Sequence, residues 1–168
     1  SPGSGTLEAN RRRTIGIVSR HITKVSVRAA VYSDDDLARL APGRGYWPSD
    51  VRWPQKPLAT VEREFTLDPK GATMWSALPI DLKALVGEQR RPIAVEVSPV
   101  DLHPKADGEA IPDTVSAVYR VTDLGPEVYA SQAQSVVAVH QLSTGKPVAG
   151  ARISRHRLGA KPVALGVT

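Results

Sequence analysis

The stretch Val121-Thr-Asp-Leu-Gly-Pro-Glu-Val-Tyr-Ala-Ser-Gln-Ala-Gln-Ser-Val-Val-Ala-Val-His-Gln-Leu-Ser-Thr-Gly-Lys-Pro-Val-Ala-Gly-Ala-Arg-Ile153 decides the fold. It reads as the end of one strand, a break at Gly125-Pro126, and the start of a new strand pair. In the new pair Val137, Val139 and Gln141 alternate with Val136, Ala138, His140 and Leu142, the period of two that sends successive side chains to opposite faces of a strand. Ser143-Thr-Gly-Lys-Pro147 then turns the chain into Val148 to Ile153. The pattern predicts a hairpin laid across the boundary between two β modules.

Upstream, strands are predicted over Thr14 to Val18 and Ile22 to Tyr32. In the second, Val25, Val27, Ala29 and Val31 share one face and Lys24, Ser26, Arg28 and Ala30 the other, so one face is core and one is wet. Ser33-Asp-Asp-Asp-Leu-Ala-Arg-Leu40 has a capping residue and an acidic first turn, which predicts a short helix. Further strands are expected over Ala59 to Leu67, Thr73 to Leu78, Ile93 to Val97 and Val115 to Thr122. Asp68-Pro69-Lys70-Gly71 has the chemistry of a hairpin turn between the first two. Six or seven short strands with turn signals between them predict a β-sandwich of low helix content.

The Val121 to Gly125 exit followed by the Gly145-Lys-Pro-Val-Ala-Gly-Ala151 turn resembles the junctions between macroglobulin-like domains in bacterial alpha-2-macroglobulins. Ile17 to Tyr32 is similar to the opening strand pair of such a domain. Leu78-Pro-Ile-Asp-Leu-Lys-Ala-Leu85 followed by Ile93 to Val97 is similar to its penultimate helical turn and the strand after it. The family usually places Pro-Gly-Leu-Tyr before that strand, where this chain has Arg91-Pro92-Ile93-Ala94. The resemblance implies an all-β chain: an immunoglobulin-like, macroglobulin-type antiparallel β-sandwich with one or two short helical turns, followed by the first strands of a second sandwich. The expected division is a linker or disordered segment at 1–13, one sandwich over 14–123, and a partial second domain over 124–168. The stretch after Asp123 is far shorter than the roughly 100 residues of a complete sandwich.

What the resemblance implies for function is scaffolding within a broad-spectrum endopeptidase inhibitor that traps proteases. The partners would be neighbouring domains of the same protein, with proteases as targets of the full-length molecule. The location would be periplasmic or extracellular, any lipid anchor lying outside this chain. Neither a bait region nor a thioester is expected in this segment, since the thioester is built on a cysteine and the 168 residues contain none.

Composition narrows the other classes. Hydrophobic residues make up 41% of the chain and charged residues 23%, which is ordinary for a folded globular protein. Without cysteine there is no disulfide, no cysteine nucleophile and no thiolate metal site. No apolar run reaches the roughly 20 residues that span a bilayer. The net charge of +5 is spread over small groups, at Arg11 to Arg13, Arg90-Arg91 and Arg152 to Arg157, with no interleaved aromatic platform. A solvated surface explains them better than a nucleic-acid interface, and no nucleic-acid partner is expected.

No catalytic residue, cofactor site or metal site is expected. Asp34, Asp35 and Asp36 lack the alternate oxygen ligands, glycine and distal carboxylate of a calcium loop. His21, His103, His140 and His156 are too far apart for a zinc motif. There is no Gly-x-Ser-x-Gly, and Gly43-Arg-Gly45 sits among prolines instead of opening a helix. Glu62 and Glu64 alternate with Val61 and Phe65, which places the carboxylates on a solvated face. The Pro/Gly-rich loop from Ala41 to Pro57 carries Tyr46, Trp47 and Trp53. These three are the candidate contact residues, at an interface with a neighbouring domain or, in the competing reading of a cell-surface Ig-like adhesion or carbohydrate-binding module, on a ligand. A third reading is a sandwich accessory domain of a secreted enzyme.

Overall fold

The computed structural model describes residues 5–19, 22–36, 40, 56–67, 76–100, 114–155 and 160–168. Tyr46, Trp47 and Trp53, the Asp68 to Gly71 turn, and His21, His103 and His156 all lie outside them.

The central strand of the first region is β3, Lys24–Val31, whose eight residues carry four β-branched or alanine side chains on one face. It pairs antiparallel on one side with β4, Ala59–Thr66, and on the other with β6, Pro92–Pro99. β6 pairs antiparallel with β7, Val115–Thr122, giving a five-stranded sheet once β1, Gly5–Glu8, is added beside β7. The opposing layer is the antiparallel pair β2, Thr14–Ser19, and β5, Ser76–Asp81, extended by the short helix α1, Leu82–Val86. Asp81 caps α1, its carboxylate accepting from the Lys83 amide at 2.9 Å.

The core fills the space between these layers, as the sandwich pattern predicts. Val25, Val27 and Ala29 of β3, Ile93, Val95 and Val97 of β6, and Ala117, Tyr119 and Val121 of β7 meet Ile15 and Ile17 of β2, Ile80 of β5, and Leu82 and Leu85 of α1. Each fully buried aliphatic side chain contributes about 1.5–3 kcal/mol. On the outer face, Glu62 and Glu64 are exposed. Arg28 sits in register between Glu62 and Glu96, and Ser26 donates to Glu62 at 2.7 Å. Opposite charges at adjacent cross-strand positions account for the solvated row.

Four expectations give way. Residues 5–13 are not linker: β1 runs parallel to β7, Ala9 is buried, and its amide donates to the Thr122 carbonyl at 3.0 Å. A strand this short is held by the edge it covers, which local composition does not reveal. β4 and β5 do not form a hairpin, because β4 belongs to the five-stranded sheet and β5 pairs with β2. Turn chemistry is local and carries no information about which layer the chain enters next. The outer face of β3 is not wet throughout, since Ala30, Tyr32, Leu40, Ala94 and Val118 form a second buried cluster. The row Ala30, Ala94 and Val118 is small enough for Leu40 to be buried with it.

The fourth correction concerns the break. β7 ends at Thr122, Asp123 is a single-residue bend, and β8, Leu124–Ala130, runs straight through Gly125-Pro126. β8 pairs antiparallel with β9, Ser135–Gln141, with Pro126 opposite Val139. The Val139 carbonyl accepts from the Val148 amide at 2.8 Å, on the side away from β8. The missing N–H of Pro126 therefore removes no ladder bond and faces the free edge, where proline is tolerated in sheets.

After β9 the chain does turn at Ser143 to Pro147, through Gly145 at φ 68, but only as far as a bridge between His140 and Pro147. β10, Arg152–Arg155, pairs instead with β11, Val163–Val167. Strands β8 to β11 share no sheet with β1 to β7. Val139 is buried, but most of their apolar side chains are open: Val128, Tyr129, Val136, Val163, Leu165 and Val167 are all more than half exposed.

Candidate interdomain seam

Two polar knots lie where residues 5–122 meet residues 124–168 and where the N-terminal segment meets α1. The first is built on Asp123. Its Oδ1 accepts from the Ser143 amide at 2.9 Å; its Oδ2 accepts from Ser143 Oγ at 3.0 Å, Gln141 Nε2 at 2.8 Å and Asn10 Nδ2 at 3.0 Å. The Asp123 carbonyl accepts from the Leu142 amide at 2.8 Å. Arg90 stands beside the knot and donates to Asn10 Oδ1 at 3.3 Å. The hydrogen bond from Gln141, the two from Ser143, and the Arg90 charge together hold the Asp123 carboxyl below its ordinary range against the opposing effect of partial burial.

The corner that faces Asp123 is itself closed. Gly145 donates to the Gln141 carbonyl at 2.7 Å, Gln141 donates to the Lys146 carbonyl at 2.8 Å, and Thr144 Oγ1 donates to Gln141 Oε1 at 2.9 Å. Gly145 supplies the positive φ that this turn needs. Leu142 lies over Gly125, where a Cβ would come within 2.6 Å of Leu142 Cδ2. The Val121 to Gly125 exit thus touches the Gln141 to Ser143 corner, which lies just ahead of the Gly145 to Ala151 turn.

The second knot is built on Arg13, only 2% exposed. Its Nη2 donates to the Ala9 carbonyl at 2.8 Å and its Nη1 to the Gln89 carbonyl at 2.8 Å, with Glu88 Oε2 3.3 Å from Nη2. Glu88 also pairs with Lys83, and that hydrogen bond, with the nearby Lys83, Arg13 and Arg90 charges, lowers its carboxyl below the usual range. A guanidinium is suited to this position because it presents several donors in a fixed plane to several carbonyls at once. The Arg13 carbonyl in turn accepts from the Leu82 amide at 3.0 Å, so the residue fastens the N-terminal segment to both ends of α1.

Between the β8–β9 hairpin and the β10–β11 hairpin lies an open groove of about 990 Å³. Leu124, Val137, Val139, Ile153 and Leu165 line it together with Arg120, Arg152, Arg155, Asp34 and Asp35. Val137 and Val139 share this face, as their alternation predicts. Among the described residues no three His, Asp or Glu side chains are grouped as metal ligands, and no helix is long and apolar enough to cross a membrane. His140 stands on β9, its Nδ1 enclosed with no hydrogen-bond partner among the described residues.

Sequence reasoning missed Asn10 and read Arg13 and Arg90 as parts of a solvated surface, whereas Arg13 is buried and both hold the knots. Arg13 left a signal: it has the same parity as Ile15 and Ile17, so its side chain points inward with theirs, and a charge at an inward position demands partners. Asn10 left none, because its partner is more than a hundred positions away.

No protein-family model matches the sequence, and no curated protein matches it. Solved structures do resemble the fold. A crystal structure of native alpha-2-macroglobulin from Escherichia coli spanning domains NIE-MG1 superposes with a TM-score of 0.70 at 11% identity, covering 99% of this chain and 79% of the other. A second structure of the same protein, spanning domains MG0-NIE-MG1, gives a TM-score of 0.61 at 12% identity and covers 97% of this chain and 54% of the other. At these identities the likeness is one of fold, and the fold is a macroglobulin/immunoglobulin-like β-sandwich of the kind found in bacterial alpha-2-macroglobulin domains.

Proposed function

We propose that this chain is a scaffold segment of a multi-domain endopeptidase trap of the bacterial alpha-2-macroglobulin type. Its task is structural: a sandwich with its own core is joined through a one-residue bend to the opening strands of a further module, and no step of chemistry is assigned to it. The observation that carries the reading is the seam. A whole-chain superposition on the NIE-MG1 fragment extends through β1 to β11, and the exit motif is tied at Asp123 to the corner just ahead of the turn. The open apolar faces of β8, β9 and β11 fit a module whose core is completed by further polypeptide, since exposed apolar surface on this scale marks an interaction face. The protein would work in the periplasm or outside the cell, where foreign proteases arrive, with any membrane attachment supplied from outside this segment.

The test uses a trap's size discrimination. In full-length protein mixed with a broad-specificity protease, cleavage of a large protein substrate should fall while hydrolysis of a small chromogenic peptide persists. The 168-residue segment alone should leave both unchanged. Undiminished cleavage of the large substrate by the full-length protein, or stoichiometric inhibition by the segment alone, refutes the proposal.

A further inference from the structure

We infer that Asp123 is a hinge pin: its carboxylate fixes the angle between the region of β1 to β7 and the region of β8 to β11. The connection between them is one residue long, so rotation about the Asp123 backbone alone would swing β8 away from β7. Beside the Leu124 amide's bond to Thr122 Oγ1 and the Leu142 amide's bond to the Asp123 carbonyl, four hydrogen bonds that oppose that rotation converge on one side chain. Asn10, on the N-terminal segment of the first region, and Gln141 and Ser143, at the corner of the second, all donate to the same carboxylate. Asn10 is in turn positioned by Arg90 from the loop after α1. Arg90 is the charged group facing the knot from the first region; Gln141 and Ser143 face it from the second.

The chemistry is specific to a carboxylate. Oδ2 accepts three donors and Oδ1 a fourth, so both oxygens face donors and neither leaves a place for an N–H. Asparagine has nearly the same shape, but its amide nitrogen would confront either the Ser143 amide or the three donors at Oδ2. The Asp123→Asn change therefore separates the acceptor role from volume. The inference stands apart from the protease-trap reading, because it concerns the angle at the bend and needs neither a protease nor another module.

The chain has no cysteine, so paired spin labels can be placed cleanly through Arg63→Cys on β4 and Lys161→Cys ahead of β11, both exposed. Pulsed electron–electron distance measurement on the full chain should give one narrow peak, and Asp123→Asn should abolish or displace it. Amide-exchange protection within β3 and within β9 should stay unchanged, which a general loss of structure would not allow. If Asp123→Asn compromises folding, Asn10→Ala and Ser143→Ala each cut one arm of the knot and should broaden the same peak. A broad distribution in the parent, or a peak that none of the three changes moves, overturns the inference.

Discussion

The region of β1 to β7 and the region of β8 to β11 are written in the same alternating pattern, yet one buries its apolar face and the other, Val139 apart, displays most of it. Val27 on β3 is fully buried, whereas Val128 on β8 is 64% exposed, although both are valines on a paired strand. The difference lies in what faces each strand. β3 looks across at Ile15, Ile80 and α1, while β8 and β9 look into an open groove shared with the β10–β11 pair. Alternation therefore specifies that a face will be covered without specifying by what. In the first region the cover is encoded within the described residues, and in the second it is not.

The comparison breaks most sharply at a single aliphatic side chain. Ile80→Ala, which empties a fully enclosed site, should lower the unfolding free energy of the first region by about 2–5 kcal/mol in urea titrations. Val128→Ala in the same chain should fall within about 0.5 kcal/mol of parent, as surface substitutions do. A Val128→Ala cost as large as that of Ile80→Ala would mean that the β8–β9 face is covered in solution, and the contrast between the regions would vanish.

Much of this was legible from local pattern. The core parity of Val25 to Val31 and the exposed carboxylates at Glu62 and Glu64 follow from periodicity within a few residues, whereas the helical turn before β6 was implied by the family resemblance. The seam was legible in part, since the Val121 to Gly125 exit contains Asp123, although its partners Gln141 and Ser143 precede the Gly145 to Ala151 turn and the break was placed at Gly125-Pro126. Proline there satisfies an edge strand as readily as a turn, and only the direction of the Val139 carbonyl distinguishes them. What stayed hidden is non-local. β1 exists because β7 has an edge to cover, β4 and β5 part because the chain changes layers, and Asn10 meets Asp123 across nearly the whole described fold. The candidate contact residues Tyr46, Trp47 and Trp53 lie outside the described residues.

Arg13 sharpens the comparison from the other side, because it shows the first region closing over a charge where the second leaves even valines open. Removing the guanidinium by Arg13→Ala strands the Ala9 and Gln89 carbonyls in a buried site, which should cost roughly 3 kcal/mol. Arg13→Lys should recover only part of that, since one ammonium cannot reproduce the planar fork. Chemical denaturation gives the magnitude, and amide exchange across Leu82 to Val86 locates it. Equal stability of parent and Arg13→Ala would show that the buried guanidinium contributes nothing net.

The smallest effect is the acid response, because Glu88 is open to solvent and Asp123 is only half-buried, so solvent screens both. Asp123 marks the join and Glu88 belongs to the first region; each is held below its ordinary value, 3.8 for Asp123 and 4.5 for Glu88. A folded-state value below the unfolded one means that the unfolded chain binds protons first as pH falls. The stabilising contribution is therefore complete above the ordinary value and is lost as pH drops through the folded one. Carboxyl-carbon NMR titration should put both midpoints below the ordinary values. Glu88→Gln should flatten the acid-unfolding slope sensed by amides around α1, and Asp123→Asn should flatten the slope sensed at Gln141 to Ser143 while leaving the β3 core unaffected. An Asp123 midpoint at the ordinary value would mean that the knot does not favour the ionised acid, and the distinction between a join held by charge and a core held by packing would fail.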